Sequence, residues 1–215
     1  AITATLRLEE KIGEGGMGSV WIAENTALET KVAVKFVLAS QADNKNVLHR
    51  FQREAKISAQ ITSPHVVNVY DYGTTDDGTP YIVMELLHGE PFDEFLEREG
   101  RLSIDKSVTL MGQLGKVIER AHSLDIVHRD LKPSNLFLED AGYDMFVKVL
   151  DFGIAKKTTA VNDTLTAPAA MIGTLLYMSP EALREGVADS QTDLWAMAVI
   201  AYEALVGERP FCGNT

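Results

Sequence analysis

Cysteine is almost absent from this sequence of 215 residues, because Cys212 stands alone. One thiol excludes an internal disulfide and a cysteine-based metal site, and it is typical of proteins in a reducing compartment. Basic residues are also scarce, since 20 Lys and Arg face 31 Asp and Glu for a net charge of −11. Without a positive field, the chain is not expected to bind nucleic acid or an anionic membrane surface.

Long apolar runs are missing as well. The most apolar stretch, residues 194–206, is 13 residues long and contains Glu203, whereas a membrane-spanning helix needs about 20 apolar residues. The first five residues lack the basic start and the apolar stretch of a signal peptide. We therefore expect a cytoplasmic location and no membrane segment in this chain, while an anchor elsewhere in a larger protein stays open.

Hydrophobic residues make up 46% of the sequence and charged residues 24%, which is typical of a globular chain with a real core. Before residue 89 the apolar residues alternate as in strands, and one helix is predicted at residues 44–60. After residue 89 the pattern predicts helices at 104–123 and 192–206, with short strands at 126–127 and 146–150. The chain therefore belongs to the α+β class, with a sheet-rich part before a helix-rich part.

The first long helix carries one apolar stripe in this interpretation, at Val108, Met111, Gly115 and Ile118. A Thr- and Ala-rich segment at residues 156–170 follows the second short strand and is predicted to be a mobile loop.

Glycines at positions 13, 15 and 18 form a G-x-G-x-x-G-x-V pattern that ends at Val20. A dinucleotide-binding motif needs a helix after the glycines, because the helix N-terminus holds the pyrophosphate. Here the next residues, Val20-Trp21-Ile22-Ala23, are typical of a strand. The glycines are thus predicted at the turn of a hairpin whose backbone amides lie over phosphates. An ordinary glycine-rich hairpin is the alternative.

Two opposite charges are predicted in positions that face apolar neighbours. Period 2 places Ala33 and Lys35 on one strand face, and the helix at 44–60 places Glu54 on a stripe with Phe51 and Ser58. A buried carboxylate is costly unless a cation matches it. Lys35 and Glu54 are therefore expected to pair, either as a structural ion pair or to position Lys35 on nucleotide phosphates.

The segment from His128 to Asn135 reads H-R-D-L-K-P-S-N, and Asp151-Phe152-Gly153 begins sixteen residues after Asn135. In this order, after the glycine loop and the strand Val32-Ala33-Val34-Lys35, the chain resembles eukaryotic-type protein kinases. The resemblance extends over residues 6–211 and includes three further matches: Gly173-Thr174, Ser179-Pro180-Glu181 and Asp193-Leu194-Trp195. The form of the glycine loop, with Arg53-Glu54-Ala55 and Val69-Tyr70-Asp71, is most similar to bacterial serine/threonine kinases.

The resemblance implies a bilobal protein kinase-like fold. Its β-rich N-lobe with one helix would cover residues 1–84, its hinge 85–89 and its helical C-lobe 90–215. Kinases of this family continue for several more helices, so the C-lobe is expected to be incomplete here, lacking its last helices.

The resemblance also assigns the chemistry of phosphoryl transfer, which depends on positioning and charge neutralisation. Asp130 would accept the proton of the substrate hydroxyl, and Lys132 would neutralise the transferring phosphoryl group. Asn135 and Asp151 would bind Mg²⁺ through hard oxygen ligands. The remaining residues of the predicted catalytic set are Lys35, Glu54 and Thr174.

For ATP, the resemblance implies a glycine loop over the phosphates and an apolar slot for adenine. Backbone groups of Glu85 and Leu87 would bond adenine, with Met84 as the gatekeeper behind them. The other residues assigned to the nucleotide are Ile12, Gly13, Gly15, Gly18, Val20, Ala33, Lys35 and Phe137. Either Glu90 or Asp93 would meet the ribose.

Lys132 and Thr174 resemble serine/threonine rather than tyrosine kinases, so we expect ATP-dependent phosphorylation of Ser or Thr in protein substrates. Arg129 before Asp130 is typical of kinases whose activation segment is ordered by phosphorylation, and the expected sites are Thr166 and then Thr164. A homodimer for trans-autophosphorylation is a further expectation. The alternatives are a nucleotide-binding pseudokinase and a kinase fragment that depends on a partner.

Overall fold

The computed structural model describes residues 5–15, 18–37, 45–141, 144–152, 175–186 and 188–211. The chain divides into two compact units. The first contains Ala1–Thr62 and Val67–Leu87, and the second contains Ser63–Val66 and His88–Thr215. Within the described ranges, every helix is too short or too polar to cross a membrane.

The first unit is a five-stranded antiparallel sheet with one helix. The strand order is β1-β2-β3-β5-β4. The strands are β1 (Leu6–Gly15), β2 (Gly18–Asn25), β3 (Thr30–Val37), β4 (Val69–Thr74) and β5 (Pro80–Glu85), and the helix between β3 and β4 is α1 (Lys45–Ser58).

The central strand β3 separates two apolar clusters because its side chains alternate between the sheet faces. Val32 and Val34 belong to one cluster, whereas Val37 packs with Phe51 and Ala55 of α1 in the other. Burying each large side chain stabilises the unit by about 1.5–3 kcal/mol. The predicted alternation of β3 is confirmed, and it leaves Ala33 and Lys35 on the face that carries Val37.

The second unit is mainly helical and contains a small antiparallel sheet of order β6-β7-β8. Its strands are β6 (Gly89–Pro91), β7 (Leu136–Ala141) and β8 (Asp144–Val149). Its helices are α2 (Phe92–Glu99), α3 (Ile104–His122), α4 (Pro180–Glu185) and α5 (Ser190–Val206), and a 3₁₀ turn covers Pro133–Asn135.

Sequence chemistry explains where the long helices begin and end. The Ser103 side chain accepts a hydrogen bond from the amide of Lys106 and caps α3, while the Asp189 side chain accepts one from Gln191 and caps α5. Helix α5 ends at Gly207, whose φ of 85° suits glycine. These caps fix the start of α3 and both ends of α5, and the first turn of α5 carries Asp193, which matters for the site below.

The predicted apolar stripe of α3 is wrong except at Ile118. Val108 is 66% exposed, and Met111 and Gly115 are only half-buried. The buried face consists instead of Ser107, Leu110, Leu114, Val117, Ile118 and Ala121. This face is the buried one because Leu110 and Leu114 bury more apolar surface than the predicted stripe, which contains a glycine, would bury.

The predicted strand at residues 126–127 is also wrong. The amide of Ile126 bonds to the carbonyl of Ala121 at the end of α3, and the amides of His128 and Arg129 bond to the carboxylate of Asp193. Since these donors are used by a helix end and a side chain, the segment forms a loop rather than part of a sheet.

The outward edge of β8, opposite the edge that pairs with β7, is occupied by groups from other parts of the second unit. The amide group of Gln113 on α3 donates to the carbonyl of Met145 (2.9 Å) and accepts from the amide of Val147 (2.8 Å). His65 Nδ1 donates to the carbonyl of Val147 (3.0 Å), and the carbonyl of His65 accepts from the amide of Val149 (2.8 Å). Together these four bonds fix the strand that leads to Asp151.

Candidate functional site

The predicted glycine hairpin is confirmed, because β1 and β2 are antiparallel and Gly15 pairs with Gly18. A side chain at position 18 would place its Cβ 1.7 Å from the backbone oxygen of Phe36, so only glycine fits there. Gly13 lies opposite Val20, and a Cβ added at position 13 would be 3.9 Å from the Cβ of Val20, which is an ordinary van der Waals contact. The strand after the glycines excludes the helix that a dinucleotide-binding motif requires.

The predicted ion pair between Lys35 and Glu54 is also confirmed. Lys35 Nζ lies 3.2 Å from Glu54 Oε1, and the two side chains are 12% and 15% exposed. Because both side chains are largely removed from solvent, replacing either one would leave the other charge buried without a counter-ion. Helix α1 therefore holds the ammonium group of Lys35 at a fixed position on β3.

The remaining nucleotide residues predicted in the first unit lie on neighbouring strands. Val20 is opposite Lys35 across β2 and β3, and Ala33 is opposite Met84 across β3 and β5. Ile12 on β1 is 49% exposed. The structure thus brings Val20, Ala33, Lys35 and Met84 to adjacent positions of one sheet.

The predicted adenine-binding backbone lies at the end of β5. The amide of Glu85 donates to the carbonyl of Asn68 (3.0 Å), and the Glu85 carboxylate accepts from the amide of Asn68 (2.7 Å). These two bonds fix the start of the segment that contains Leu87, which is half-buried.

In the second unit, the 3₁₀ turn brings together two of the predicted catalytic side chains, Asp130 and Lys132, and the predicted magnesium ligand Asn135. Lys132 Nζ lies 3.3 Å from Asp130 Oδ2. The side-chain amide of Asn135 donates to the backbone oxygen of Asp130 (2.7 Å) and to its Oδ2 (3.3 Å). The Asp130 side chain is only 11% exposed, and the adjacent cation and amide compensate for the burial of its charge.

Asp151 follows directly on residues that are fixed to this turn. The amide of Leu150 donates to the backbone oxygen of Asn135 (2.8 Å). After Asp151, which has a φ of 40°, the Phe152 ring is fully buried and lies 4.6 Å from the ring of His128. Asp151 is therefore held between two anchored neighbours, one of which is bonded to the backbone of Asn135. Phe137 is half-buried in β7, opposite Lys148.

The chemistry of Asn135 and Asp151 fits a magnesium ion. Amide and carboxylate oxygens are the hard ligands that Mg²⁺ prefers, and the Asn135 amide nitrogen bonds to Asp130, which leaves Oδ1 as its ligand atom. Among the described residues, no group of three or more His, Cys, Asp or Glu is placed to hold a metal ion. With only these two protein ligands, a magnesium ion would take its other oxygen ligands from water or a bound molecule.

His128 is a residue of the site whose importance the sequence reasoning did not identify. Its Nδ1 accepts from the amide of Asp130 (3.3 Å), and its Nε2 donates to the carbonyl of Leu150 (3.2 Å). This pattern requires the neutral imidazole with its hydrogen on Nε2. Burial lowers the pKa of His128, in agreement with that state.

Asp193 on α5 is a second such residue. Its carboxylate accepts from the amides of His128 and Arg129, both at 2.8 Å, and from His122 Nε2, also at 2.8 Å. Asp193 is 1% exposed, so these donors are needed to stabilise its charge. The sequence could have indicated this residue, because helical spacing places the carboxylate of Asp193 on the same stripe as the apolar Ala196 and Ile200.

A cavity of about 350 Å³, lined by both acidic and basic side chains, lies beside the turn that contains Lys132 in the second unit. Asp93, Glu203, Tyr177 and Lys132 are among its lining residues. The Tyr177 hydroxyl donates to Glu203 (2.5 Å), and burial raises the pKa of Glu203. Asp93 thus lies in this cavity, whereas Glu90, the other acid considered for the ribose, pairs with Arg98 at 2.6 Å.

Three predicted residues, Thr164, Thr166 and Thr174, lie outside the described residues, as do Gly153 and the predicted loop at 156–170. Their placement stays a prediction.

Comparison with known proteins identifies the class. Residues 6–215 match the protein kinase domain family. The chain is 38% identical over its full length to the serine/threonine-protein kinase PknA of Corynebacterium glutamicum, 36% identical over 99% of its length to PknA of Mycobacterium tuberculosis, and 35% identical over its full length to PrkC of Bacillus subtilis. The chain covers 45%, 49% and 32% of those proteins, respectively.

This chain belongs to the protein kinase domain family. The predicted family is confirmed, including its similarity to bacterial serine/threonine kinases, and so is the α+β class with a sheet-rich first part and a helical second part. The pseudokinase and fragment alternatives are not favoured by these relatives, all three of which are named as kinases.

Proposed function

We propose that the protein containing this chain is an ATP-dependent serine/threonine protein kinase that transfers the γ-phosphate of ATP to Ser or Thr hydroxyls of other proteins. The arrangement of Asp130, Lys132 and Asn135 carries the proposal. It combines a carboxylate that can take a proton, a cation beside it and an amide that fixes the carboxylate. The names of the bacterial relatives support the Ser/Thr substrate class.

Asp130 acts on the substrate hydroxyl in this proposal. Its carboxylate orients the hydroxyl oxygen toward the phosphorus and accepts the proton as the new P–O bond forms. Lys132, 3.3 Å from Asp130 Oδ2, neutralises charge on the transferred group. Because the Asn135 amide bonds to Asp130, the carboxylate need not reorganise during the reaction.

The first unit binds the phosphates of ATP. Backbone amides of the hairpin containing Gly13, Gly15 and Gly18 contact them, and Lys35 supplies the positive charge that Glu54 positions. Mg²⁺, when bound to Asn135 and Asp151, neutralises phosphate charge. Val20, Ala33, Met84 and the backbone of Glu85 and Leu87 are the proposed adenine contacts, together with Ile12 and Phe137.

The test is transfer of labelled phosphate from ATP to a generic protein substrate by the full-length protein. Lys35→Met and Asp130→Asn should each lower kcat by about a thousandfold, which is the scale of lost preorganised electrostatic contacts. Lys31→Met is the matched control, because Lys31 lies on the same strand but is 50% exposed and pairs with Glu9 at the surface.

Two results would contradict this assignment. Nucleotide binding without any transfer by the wild type would favour the pseudokinase alternative. Transfer by Lys35→Met or Asp130→Asn at the rate of the Lys31→Met control would show that these residues do not have the proposed roles.

We also propose that phosphorylation of Thr166, or of Thr164, activates the protein. Arg129 directly precedes Asp130, and a phosphate can form one to three charge-assisted hydrogen bonds with such a cation. Thr174 is proposed to belong to the catalytic set. The Thr164→Ala/Thr166→Ala double variant should lose activation on incubation with ATP, as followed by mass spectrometry and activity, and an unchanged activation would refute the proposal.

A further inference from the structure

The cavity beside the turn that contains Lys132 lies next to the proposed site of phosphoryl transfer. Lys132 lines it, and Lys132 Nζ lies 3.3 Å from Asp130 Oδ2. A substrate hydroxyl that binds at Asp130 brings the neighbouring residues of its own chain close to this cavity, because an extended chain advances only about 3.3–3.6 Å per residue. Glu97, Ser134 and Arg209 are exposed lining residues, so the cavity is open to solvent.

Three carboxylates line this cavity, namely Asp93, Glu97 and Glu203. Within the part of the chain that the structure describes, Asp93 Oδ1 is buried and has no hydrogen-bond partner, which is costly for a carboxylate oxygen. The side chain of Glu203 is 15% exposed and accepts a hydrogen bond from the Tyr177 hydroxyl. These acids would attract a positively charged side chain, because charges interact more strongly where water is partly excluded.

Arg209 already brings a positive charge into this cavity from the chain itself. Its Nε lies 3.9 Å from Glu203 Oε1. The backbone that leads to it turns at Gly207, which has a φ of 85°, and a Cβ at that position would lie 2.6 Å from the backbone oxygen of Gly100. Only glycine fits this close approach, so the segment that carries Arg209 leaves α5 in a fixed direction.

We propose that Arg209 is a specificity-determining residue for the protein substrate: as the internal counter-ion of Glu203, it keeps basic side chains of the substrate out of the cavity. This inference rests on the proposed kinase function. A substrate Arg or Lys has to approach Arg209 as a like charge or displace it from Glu203, and either event weakens binding of that substrate. Neutral side chains meet no such penalty.

The test compares short peptides that contain one Thr and differ at a single position. Arg, Gln or Glu replaces Ala at each position within about four residues of the Thr, which covers about 13–14 Å of extended chain. The proteins are the full-length wild type, Arg209→Gln and Arg209→Lys. Arg101→Gln is the matched control, because Arg101 is exposed and lies close to Gly207 but is not a lining residue of the cavity.

For the wild type, we expect kcat/KM for the Arg peptides to be equal to or lower than that for the Gln peptides. In Arg209→Gln, kcat/KM for Arg should exceed that for Gln by about tenfold at one or more positions, because a like-charge repulsion is removed and Glu203 is released. This preference should shrink as salt is added. Arg209→Lys retains the charge and Arg101→Gln leaves the cavity unchanged, so both should behave as the wild type does.

A double variant tests whether the acid takes part. Arg209→Gln/Glu203→Gln removes both charges, leaves no buried charge without a counter-ion and keeps an acceptor for Tyr177. It should therefore lose the preference for Arg that the single variant gains. Calorimetric binding of the same peptides with Ala in place of Thr should give the same order of preference. Absence of transfer by the wild type would contradict the proposed function, while these affinities would still decide the role of Arg209.

Three outcomes would overturn this role. The first is a wild type that already prefers Arg peptides to Gln peptides. The second is an Arg209→Gln protein whose preferences equal those of the Arg101→Gln control. The third is a wild-type preference for Glu peptides that Arg209→Gln loses without gaining one for Arg, which would show that Arg209 binds carboxylates of the substrate instead.

Discussion

Mild acid should weaken the second unit through His128. The imidazole is fully buried, and its Nδ1 must stay unprotonated to accept from the amide of Asp130. Burial lowers the pKa of His128 in the folded state, whereas in the unfolded chain a histidine has a pKa of about 6.5. Below that pH the unfolded state binds a proton that the native state does not.

The sign and the size of the effect follow from this difference in bound protons. The free energy of unfolding should fall as the pH falls below about 6.5, because the unfolded state is then the one that gains the proton. For one proton the slope approaches about 1.4 kcal/mol per pH unit. It flattens only when the pH reaches the lowered pKa of the native state.

Urea unfolding between about pH 5 and about pH 8 would measure this slope. The sequence has two tryptophans. In a Trp21→Phe background, the fluorescence of Trp195, which stacks on Phe211 at 5.6 Å, reports on the second unit. The comparison variant is His128→Phe, which keeps an aromatic ring against Phe152.

His128→Phe should be less stable than the parent at pH 8, since it loses two hydrogen bonds. The stability difference between the two proteins should shrink as the pH falls below about 6.5, because only the parent has His128 to protonate when it unfolds. Parallel pH profiles for parent and variant would refute the argument that His128 is held neutral.

Three further predictions concern stability and can be checked by chemical or thermal unfolding. Leu110→Ala should cost about 2–5 kcal/mol because Leu110 is fully buried in α3, whereas Val108→Ala, at a 66% exposed position, should change the stability by less than about 0.5 kcal/mol. Gly89→Ala should be strongly destabilising, since its φ is 144° and a Cβ would lie 2.0 Å from the backbone oxygen of Leu138; a wild-type melting temperature would contradict this. Glu29→Gly should stabilise by about 0.5–1 kcal/mol, because Glu29 is exposed and has a φ of 54°, and a loss of stability would show that its side chain has an unrecognised role.

The sequence predicted the parts of the site that depend on local spacing. The glycine hairpin follows from a β-branched strand after the glycines, and the pairing of Lys35 with Glu54 follows from two periodicities that put opposite charges on apolar faces. The turn with Asp130, Lys132 and Asn135 lies within six residues, so its contacts are nearly local. The hairpin and the turn needed only the immediate neighbourhood of their residues, whereas the ion pair needed two elements that are consecutive in the chain.

The parts that the sequence did not predict depend on how distant elements pack. Asp193 and His122 are 71 positions apart, and no periodicity links the end of α3 to the start of α5. The same dependence explains why the strand predicted at residues 126–127 is not formed. The apolar pattern of these residues suits a sheet, but the amides of the next two residues bond to Asp193 instead. For α3, two apolar stripes competed, and tertiary packing selected the one with Leu110 and Leu114.

The edge of β8 has a further consequence for how the protein behaves in a crowded solution. A strand edge with open donors and acceptors is a template on which another chain can add a strand and start aggregation. On the outward edge of β8, Gln113 and His65 form hydrogen bonds with the backbone groups that lie between the oxygen of Met145 and the amide of Val149. Two residues from separate parts of the sequence thus take the place of a fourth strand, and they do so immediately before Asp151. The segment that carries Asp151, the proposed metal ligand, is thereby protected from intermolecular pairing by the same bonds that hold it in register.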